Sequence, residues 1–428
     1  MKIAYITAGA AGMYCGSCMH DNTLVSALLA QNHDAILIPT YTPITVDEAD
    51  VSQKRVFFGG INVFLQQKVA MFRHTPWSMD RLLDSPPLLR WVSRFAVKTQ
   101  AQQLGDLTVS MLKGEHGHQR KEVDKLVHWL AGEVRPEIIT LTNALLSGMV
   151  PDMKRRLGVP IVCSLQGDDI FLESLPEPHR RESLALIRAH CREIDAFIAT
   201  SEYYADFMVG YFEIPRERIH VIYPGLNLNG HGGPSADRSD AEFTIGYFAR
   251  ICPEKGLHVL ADAFRLLQKT RSASSYHLRV SGWLGENNRP YFEDIRRKMN
   301  EWGLADRFEH VESPDHASKV QFLQSLDVLS VPTTYREPKG LYILEALANG
   351  VPVVQPRHGS FPELIQATGG GLLVNPDDPE DLASALAKLQ ENRAHREELG
   401  RKGKEAVHRH FNAERMARET VDLYKRYV

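Results

Sequence analysis

Glu337 and Glu345 frame a short segment whose composition could bind a phosphorylated ligand. Residues 336–350, REPKGLYILEALANG, follow an apolar run typical of a buried strand, and residues 341–348 are strong helix formers. Gly340 permits a tight turn into that helix, whose first amides and partial positive charge favour a phosphate. Because a carboxylate is a poor partner for a phosphate, we expect the glutamates to accept hydrogen bonds from sugar or ribose hydroxyls. The alternative is that both are solvated charges near a helix start, where the helix dipole favours them.

Two basic residues in an earlier loop could complete this anion site. The sequence YFARICPEKGLHVL, residues 247–260, contains Arg250 and Lys255 between a predicted strand and a predicted helix. Because the carboxyl ends of parallel strands meet at one edge of a sheet, we expect both cations to lie near Glu337 and to converge on one anion. Each charge-assisted hydrogen bond would contribute roughly 1.5–3 kcal/mol. The alternative is that both are surface cations, one of them paired with Glu254.

A cysteine pair near the N-terminus admits three interpretations. Residues 13–21, MYCGSCMHD, contain Cys15 and Cys18, which could be half of a zinc site, a redox pair, or small residues where backbone and substrate approach closely. Zinc needs about four ligands, and the sequence offers no second C-x2-C or H-x3–5-H partner in a suitable context. A redox pair should begin a helix, and we expect this one to lie in a loop upstream of the helix NTLVSALL, residues 22–29. We therefore predict a loop or substrate contact and no metal site.

The composition is that of a folded globular protein. The chain has 428 residues, of which 43% are hydrophobic and 24% are charged, so two to three domains are expected. A formal net charge of −3 provides no basic field for nucleic acid. No apolar run approaches the roughly 18–20 residues of a spanning helix. Five cysteines, an odd number, do not suggest a disulfide framework. We expect a cytoplasmic, multi-domain protein.

Short apolar, β-rich runs alternate with amphipathic helical runs, which predicts parallel sheets covered by helices on both faces. The pattern restarts after residues 225–243, GLNLNGHGGPSADRSDAEF, which are typical of a linker. We predict two doubly wound α/β domains, residues 1–225 and 226–411, followed by an amphipathic helix at about 412–428. The predicted strands are KIAYIT, AILIPTY, NVFLQ, EIITLT, PIVCSL, AFIAT and IHVIYPG in the first half, and FTIGYFA, HLRVSG, FEHVE, LDVLSVPT, VPVVQP and GLLVNP in the second.

The second half resembles the retaining glycosyltransferases of family 4. The resemblance rests on ARICPEKGLHVLADAF, YREPKGLYILEALANGVPVV and GSFPELIQATGGGLLVNPDDPEDLASAL, and it is dense over residues 244–389. Glu337 and Glu345 match the E-x7-E signature of that family. The resemblance implies the GT-B fold, two Rossmann-like domains facing a central cleft, with the final helix packed back on the first. It also implies sugar transfer with retention, in which the leaving diphosphate rather than a protein nucleophile assists the acceptor.

The resemblance further implies roles for individual residues. Arg250 and Lys255 would neutralise the donor diphosphate, Glu337 would hold hydroxyls of the transferred sugar, and Glu345 would hold the ribose. The other donor-binding candidates are Gly340 and Leu341 at the outer phosphate, Tyr342 next to them in the sequence, Ser281, Gly282 and Val311 at the base, and Gly12 in the N-terminal glycine loop across the cleft.

The first half matches the family less closely. Its loop glycines do not form the dinucleotide fingerprint G-x-G-x-x-G, which argues against a nicotinamide oxidoreductase. Gln166 stands where many family members carry a histidine that touches the donor sugar, and a glutamine can bond hydroxyls but cannot titrate near neutral pH. The candidates for the acceptor and sugar side are His20, Asp21, Asn143, Gln166 and Asp168. A polar residue that ends a buried strand is often only a turn former.

We therefore predict an enzyme that moves a sugar from a nucleotide diphosphate sugar to a hydroxyl acceptor, which could be a sugar, a lipid-linked sugar or a small molecule. The motifs require no metal or other cofactor, since Arg250 and Lys255 can neutralise the leaving group. The alternatives are a nucleotide-sugar epimerase on the same fold and a non-catalytic regulator that binds a nucleotide sugar or zinc. Residues 68–98, which are basic and aromatic, could contact the inner membrane face peripherally or could pack as a helix on the core.

Overall fold

The strands and helices of the chain are divided between two units. The computed structural model describes residues 1–9, 15–73, 75, 101–233, 242–270 and 275–428. One unit comprises Met1–Gly225 with Ala413–Val428, and the other comprises Leu226–Asn412. Two parts of the sequence-based prediction lie outside the described residues: Gly12, and the segment 68–98 apart from residues 68–73 and 75.

A parallel sheet forms the centre of the first unit. Its described strands are β1 (Lys2–Ala8), β2 (Asp34–Thr40), β3 (Ile138–Leu141), β4 (Ile161–Leu165), β5 (Ala196–Ala199) and β6 (Ile219–Val221). The order across the sheet is β2-β1-β3-β4-β5-β6, and every neighbouring pair is parallel. Every residue of β3, β4 and β5 is buried, as expected for strands covered on both faces. The winding reverses between β1 and β3, whose carboxyl ends mark the switch point where such sheets bind ligands.

The helices of the first unit differ from the sequence-based prediction at two places. The α-helices described are α1 (Gly16–Ala30), α2 (Gly60–Lys68), α3 (Ala101–Leu112), α4 (Arg120–Trp129), α5 (Val150–Leu157), α6 (Asp168–Leu172), α7 (His179–Cys191) and α8 (Glu202–Tyr211), with 3-10 turns at Ala70–Arg73, Gly114–His116, Ala144–Met149 and Arg216–Arg218 and a π turn at Leu130–Val134. The prediction of a strand at NVFLQ is wrong, because this segment lies in α2. The buried residues Asn62, Val63 and Gln66 of that helix have helical spacing. The first helix begins at Gly16, well before the predicted start at Asn22.

A second parallel sheet forms the centre of the other unit. Its described strands are β7 (Glu242–Phe248), β8 (Ser275–Ser281), β9 (Phe308–His310), β10 (Val328–Leu329), β11 (Val353–Pro356) and β12 (Gly371–Val374). The order is β12-β11-β10-β7-β8-β9, again with parallel neighbours throughout. The switch point therefore lies between the carboxyl ends of β7 and β10. The loops that carry Arg250 and Glu337 follow these two strands.

The α-helices of this unit are α9 (Leu257–Thr270), α10 (Arg289–Glu301), α11 (His316–Gln324), α12 (Leu341–Ala348), α13 (Phe361–Thr368), α14 (Pro379–Glu391) and α15 (Arg393–His410), with 3-10 turns at Pro253–Lys255, Glu286–Asn288 and Ala305–Arg307.

The predicted linker 225–243 is partly packed on this unit. Within it, the backbone N–H of Gly232 donates to Oδ1 of Asn349 at 3.0 Å, and the His231 ring bonds to the Asn349 amide at 2.8 Å.

The last helix, α16 (Ala413–Tyr424), belongs to the first unit, where it packs against α1. Met416, Ala417 and Val421 are buried in the same hydrophobic core as Ile3 and Leu28. Its amphipathic pattern thus places an apolar face on the core of that unit. None of the helices in the described residues is long and apolar enough to cross a membrane.

Candidate active site

The N-terminus of α12 lies at the switch point of the second sheet. Gly340 precedes it with φ +66°, a left-handed conformation that glycine adopts without steric cost. The first N–H groups of the helix have no partner within it and carry its partial positive charge. The neighbouring loop approaches closely, since a Cβ on Gly359 would lie 2.5 Å from the carbonyl oxygen of Glu337. The backbone N–H of Ser360 donates to that same oxygen at 2.8 Å. Close packing therefore fixes the turn.

A buried ion pair lies beside this turn. Nζ of Lys255 is 2.5 Å from Oε2 of Glu337, and the side chains are 10% and 6% exposed. The phenol of Tyr335 donates to the same carboxylate oxygen and accepts from Nζ of Lys255 at 2.6 Å. Tyr342 adds a longer hydrogen bond to Oε2 at 3.4 Å, and the backbone N–H of Lys339 donates to Oε1 at 3.3 Å. The glutamate is thus held by several donors in one orientation.

The electrostatics of the pair keep the carboxylate ionised. Burial alone would raise the pKa of Glu337, but the ammonium of Lys255 and the hydrogen bonds from Lys255 and Tyr335 lower it to about 2. Lys255 also lies over the rings of Tyr335 and Tyr342, at 4.9 and 5.1 Å from their centroids, which favours a cation there. The cluster can therefore hold a charged lysine next to an ionised glutamate in a buried place.

Arg250 lies in the same loop as Lys255 and its side chain is exposed. Its carbonyl oxygen accepts a hydrogen bond of 3.0 Å from the buried phenol of Tyr247. Burial and Glu337 raise the pKa of Tyr335, and the positive charge of Arg250 partly opposes them. Arg250 is therefore electrostatically coupled to the phenol that contacts Lys255 and Glu337.

Two close backbone approaches join this loop to the loop that carries Glu337. A Cβ on Gly256, which has φ +73°, would lie 1.8 Å from the carbonyl oxygen of Pro332. The backbone N–H of Thr334 donates to the carbonyl of Glu254 at 3.0 Å. The structure thus brings the Arg250–Lys255 loop against the segment that leads to Gly340.

Glu345 also pairs with a buried lysine. Oε1 of Glu345 is 2.8 Å from Nζ of Lys319 on α11, and the two side chains are 7% and 4% exposed. The carbonyl oxygen of Glu345 accepts from the side-chain amide of Asn349 at 2.9 Å. Both its backbone and its carboxylate therefore have fixed partners.

The candidates for the base lie where β8 and β9 end. Ser281 is fully buried and its hydroxyl is 2.7 Å from that of Ser313. Gly282 has φ +130°, and a Cβ there would lie 1.8 Å from the carbonyl oxygen of Ala249. The backbone N–H of Val311 donates to the carbonyl of Val280 at 2.8 Å. These residues lie at the same carboxyl edge as the loop after β7.

Asp21 is a fully buried hydrogen-bond acceptor in the first unit. It accepts from Tyr5 at 2.8 Å, Thr7 at 2.6 Å, Thr142 at 2.5 Å and Gln166 at 2.9 Å, so α1 is bonded to β1 and to the ends of β3 and β4. Burial alone would raise the pKa of Asp21, but hydrogen bonds, that of His20 foremost, lower it below its ordinary value. The His20 ring nitrogen lies 3.4 Å from Asp21. Asp21 therefore has a structural role in the first unit, because its hydrogen bonds join α1 to the sheet.

Asp168 joins the loops that follow β3 and β4. Its carboxylate accepts backbone N–H bonds from Ala144 at 2.6 Å and from Gln166 at 3.0 Å. Burial raises its pKa to about 6 despite these bonds. Asn143, next to Ala144, carries a buried Oδ1 that no hydrogen-bond donor of the described residues reaches. Among the candidates of the first unit, Asn143 therefore has an acceptor atom left for a ligand.

The cysteine pair occupies a helix start, not a loop. Cys15 is the N-terminal cap of α1 and Cys18 lies in its first turn, because the helix begins at Gly16. Cys18 is fully buried and its thiol contacts the carbonyl of Ala8 at 3.1 Å. None of the five cysteines, all of which lie in the described residues, forms a disulfide bond. Within the described residues, no group of three His, Cys, Asp or Glu side chains could hold a metal ion.

Tyr335 and Lys319 were not predicted from the sequence. Tyr335 stands two residues before Glu337. An aromatic residue in a loop next to a candidate glutamate could have indicated that Tyr335 is part of the candidate site. Lys319 is a basic residue four positions before the buried Leu323, so it interrupts the apolar face of α11. A charge on such a face indicates a buried partner, but the sequence cannot say that this partner is Glu345.

Two family models match consecutive parts of the chain: "Glycosyltransferase Family 4" over residues 109–229 and "Glycosyl transferases group 1" over residues 235–406. The chain is 30% identical over 310 residues to a D-inositol 3-phosphate glycosyltransferase of Nocardioides sp., a match that covers 66% of this chain and 65% of that protein. It is 31% identical over 296 residues to a D-inositol 3-phosphate glycosyltransferase of Paenarthrobacter aurescens, covering 63% of this chain and 68% of that protein. The chain thus matches about two thirds of the length of these relatives.

Solved structures resemble the whole chain. HepE of Anabaena, crystallised with UDP, superposes with a TM-score of 0.68 at 17% identity and with complete coverage of both chains. Sucrose-phosphate synthase of Thermosynechococcus elongatus gives a TM-score of 0.71 at 18% identity, over 99% of this chain and 98% of that one. At this identity the likeness shows the fold alone. The predicted GT-B fold, with two Rossmann-like parallel-sheet domains, is confirmed.

Proposed function

The chain belongs to glycosyltransferase family 4, and from that premise we propose that it transfers a sugar from a nucleotide diphosphate sugar to a hydroxyl acceptor. The single observation that supports this most is the Lys255–Glu337 pair beside the Gly340 turn. It joins a cation that can bind a phosphate, a carboxylate that can bind hydroxyls and a helix N-terminus within one buried cluster.

The donor diphosphate binds to Lys255, Arg250 and the backbone amides that begin with Gly340 and Leu341, with Tyr342 in the same turn. The ammonium group of Lys255 has three N–H donors. Two of them donate hydrogen bonds to Glu337 and Tyr335, so the third can donate to a phosphate oxygen. Negative charge develops on the diphosphate as the glycosidic bond breaks. Fixed donors aimed at that charge lower the barrier, because they need no reorganisation during the reaction.

The two glutamates bind hydroxyls on either side of the diphosphate. Glu337, ionised because its pKa is about 2, accepts hydroxyls of the transferred sugar through the side of the carboxylate that Lys255 and the tyrosines leave open. Glu345 accepts the ribose hydroxyls. Ser281, Gly282 and Val311 line the position of the base at the ends of β8 and β9.

Transfer proceeds with retention, and the leaving diphosphate takes the acceptor proton on the same face of the sugar. No protein nucleophile is assigned. The residues 226–412 form the donor unit, and residues 1–225 with 413–428 form the acceptor unit, in which Asn143 is the best supported acceptor contact because of its unbonded Oδ1. Gln166 and Asp168 support it because they bond to the residues on either side of it, Thr142 and Ala144. Asp21, whose carboxylate the His20 ring contacts, bonds to Thr142 and Gln166. Gly12, proposed as a donor contact, lies outside the described residues.

A peripheral membrane contact through residues 68–98 is a further part of the proposal. In the described portion, Val69 and Met71 are 42% and 67% exposed beside Lys68. Co-sedimentation with anionic phospholipid vesicles tests this contact. Protein that stays in the supernatant at low salt would contradict it.

The activity is tested by thermal-shift screening against the nucleoside diphosphates, followed by incubation of the selected nucleotide sugar with hydroxyl acceptors. An inositol phosphate is a reasonable first acceptor, given the names of the relatives. NMR of the products reports the anomeric configuration and distinguishes transfer from epimerisation of the donor. Stoichiometric zinc without turnover would instead favour a non-catalytic regulator.

A further inference from the structure

A buried lysine stands behind the second glutamate of the E-x7-E segment. Nζ of Lys319 lies 2.8 Å from Oε1 of Glu345, and both side chains are more than nine-tenths buried. No motif assigns Lys319, which lies on a different helix from Glu345. Within the described residues, no donor bonds to the other carboxylate oxygen, Oε2. Lys319 therefore engages one side of the carboxylate and leaves the other side available.

Stability does not explain this pair well. Burying two charges costs desolvation energy that the attraction between them often fails to recover, and apolar residues of similar volume can serve the fold as well. Lys319 occupies the face of α11 that also buries Val320 and Leu323, where an apolar side chain would fit the pattern. The pair is better explained by the direction it gives to the Glu345 carboxylate.

Both ends of the pair are held rigidly. α11 starts with a capping box in which Asp315 and Ser318 bond to each other's backbone N–H groups, directly before Lys319. On the other helix, the Asn349 side chain donates to the carbonyl of Glu345 at 2.9 Å and also bonds to His231 at 2.8 Å. Because the helix start and the glutamate backbone are both fixed, the lysine contact determines where the carboxylate points.

We infer that Lys319 is a positioning residue that orients Glu345 to accept hydrogen bonds from the two ribose hydroxyls of the donor nucleotide. This inference rests on the proposed function, in which Glu345 binds the ribose. Its consequence is specific: loss of Lys319 weakens recognition of the ribose hydroxyls and leaves the contacts of the diphosphate and the base intact.

The test is the ratio of two affinities, measured by calorimetry on the full chain. The probes are the nucleoside diphosphate that stabilises the wild type most in a thermal-shift screen and its 2′,3′-dideoxy analogue. The wild type should prefer the ribonucleotide by roughly 10–150-fold, the range expected for hydrogen bonds to a charged group. Lys319→Met and Glu345→Gln should each reduce this ratio towards one while affinity for the dideoxy analogue is kept. The double variant should reduce it no further, because both changes remove the same interaction.

The outcomes separate the inference from the proposal on which it rests. If no nucleoside diphosphate binds, or if Glu345→Gln retains the wild-type ratio, the proposed ribose site is wrong and the inference with it. If Glu345→Gln loses the ratio and Lys319→Met retains it, only the inference about Lys319 is overturned. A lysine with a purely structural role would weaken both probes equally, which also overturns it.

Two further variants keep the test decisive. Lys402→Met removes a lysine from an exposed Lys402–Glu398 pair with a 3.3 Å separation, and it should retain the wild-type ratio. Lys319→Gln, which can still donate a hydrogen bond without carrying a charge, replaces Lys319→Met if the latter does not fold. An intermediate ratio is expected for it, and a wild-type ratio would overturn the inference.

Discussion

Lys255 and Glu337 are 82 residues apart in the sequence, yet Nζ of one lies 2.5 Å from Oε2 of the other. The pair connects the loop after β7 to the loop after β10, the two loops that flank the switch point of their sheet. Removing one member of a buried ion pair leaves the other without a partner, which is costly. The two residues therefore have to be tested together as well as separately.

Lys255→Met should weaken nucleoside diphosphate binding by roughly 10–150-fold, corresponding to the loss of one charge-assisted hydrogen bond. It should also lower the free energy of unfolding by about 3–5 kcal/mol, because Glu337 is left buried and unpaired. Calorimetry and urea unfolding measure the two effects. The double variant Lys255→Met with Glu337→Gln should regain much of the stability and still bind weakly. Unchanged affinity in either variant would remove Lys255 from the phosphate site, and Lys402→Met serves as the surface control.

Glu337→Gln should lower turnover by roughly tenfold or more while affinity for the nucleoside diphosphate persists, since its carboxylate bonds the sugar rather than the phosphates. Glu397→Gln, on the exposed surface of α15, is the matched control and should behave as wild type. Steady-state kinetics with the intact donor and calorimetry with the diphosphate separate the two quantities. Full activity in Glu337→Gln would refute the sugar contact.

Gly340→Ala should weaken diphosphate binding, because a left-handed residue is needed to aim the first amides of α12. Gly303→Ala is the control: Gly303 has φ +70° and no atom within 4 Å of an added Cβ, against φ +66° at Gly340. Both variants should lose about 1–2 kcal/mol of unfolding free energy from the left-handed backbone. Gly340→Ala should lose somewhat more, because its Cβ would lie 2.9 Å from Cδ1 of Leu364. Only Gly340→Ala should lose nucleotide affinity in calorimetry. Equal affinities for the two variants would contradict a phosphate site at this turn.

His231 should make the stability depend on pH. Burial, together with Lys319, His316 and His408, lowers its pKa from 6.5 to about 3, while Asn349 bonds to its ring. The unfolded chain therefore binds a proton between these values that the folded chain does not. The free energy of unfolding of the wild type should fall relative to His231→Gln by about 1.4 kcal/mol per pH unit as the pH drops below 6.5. Urea unfolding at pH 7, 6 and 5 checks this, and parallel curves would contradict it.

Cys15→Ser with Cys18→Ser should leave the fold and nucleotide affinity largely intact. The thiol of Cys18 contacts the carbonyl of Ala8, which a serine hydroxyl can also reach. Thermal melting with and without a chelator, on wild type and variant, measures the effect. Loss of structure in the wild type on chelation would restore the zinc interpretation.

The sequence predicted the order of the elements well, because alternation of apolar strands and amphipathic helices follows from burial on both sheet faces. The prediction failed at NVFLQ, which was predicted as a strand. Asn62, Val63 and Gln66 are buried there at helical spacing, but over so few residues periodicity alone cannot distinguish a helix from a strand. The prediction also placed the start of α1 too late. The residues before Asn22 include Gly16 and Ser17 and have weak helix propensity, and the contacts of Asp21 with β1 and with the residue after β3 override it.

Parts of the candidate site were predicted to lie close together, but their pairing was not predicted. Residue types and spacing placed Lys255, Glu337 and Gly340 at one sheet edge. They could not show that Lys255 bonds to Glu337, since such a contact depends on loop packing over 82 residues. Lys319 was missed for the same reason. A buried lysine is recognisable only once its partner, Glu345, is located in space.

The most direct measurement is a crystal structure of the chain with the nucleoside diphosphate that binds it most tightly. We predict the outer phosphate at about 2.7–3.1 Å from Nζ of Lys255 and from the first amides after Gly340, with Arg250 on the same diphosphate. A diphosphate bound elsewhere, with Lys255 still held only by Glu337 and Tyr335, would contradict it.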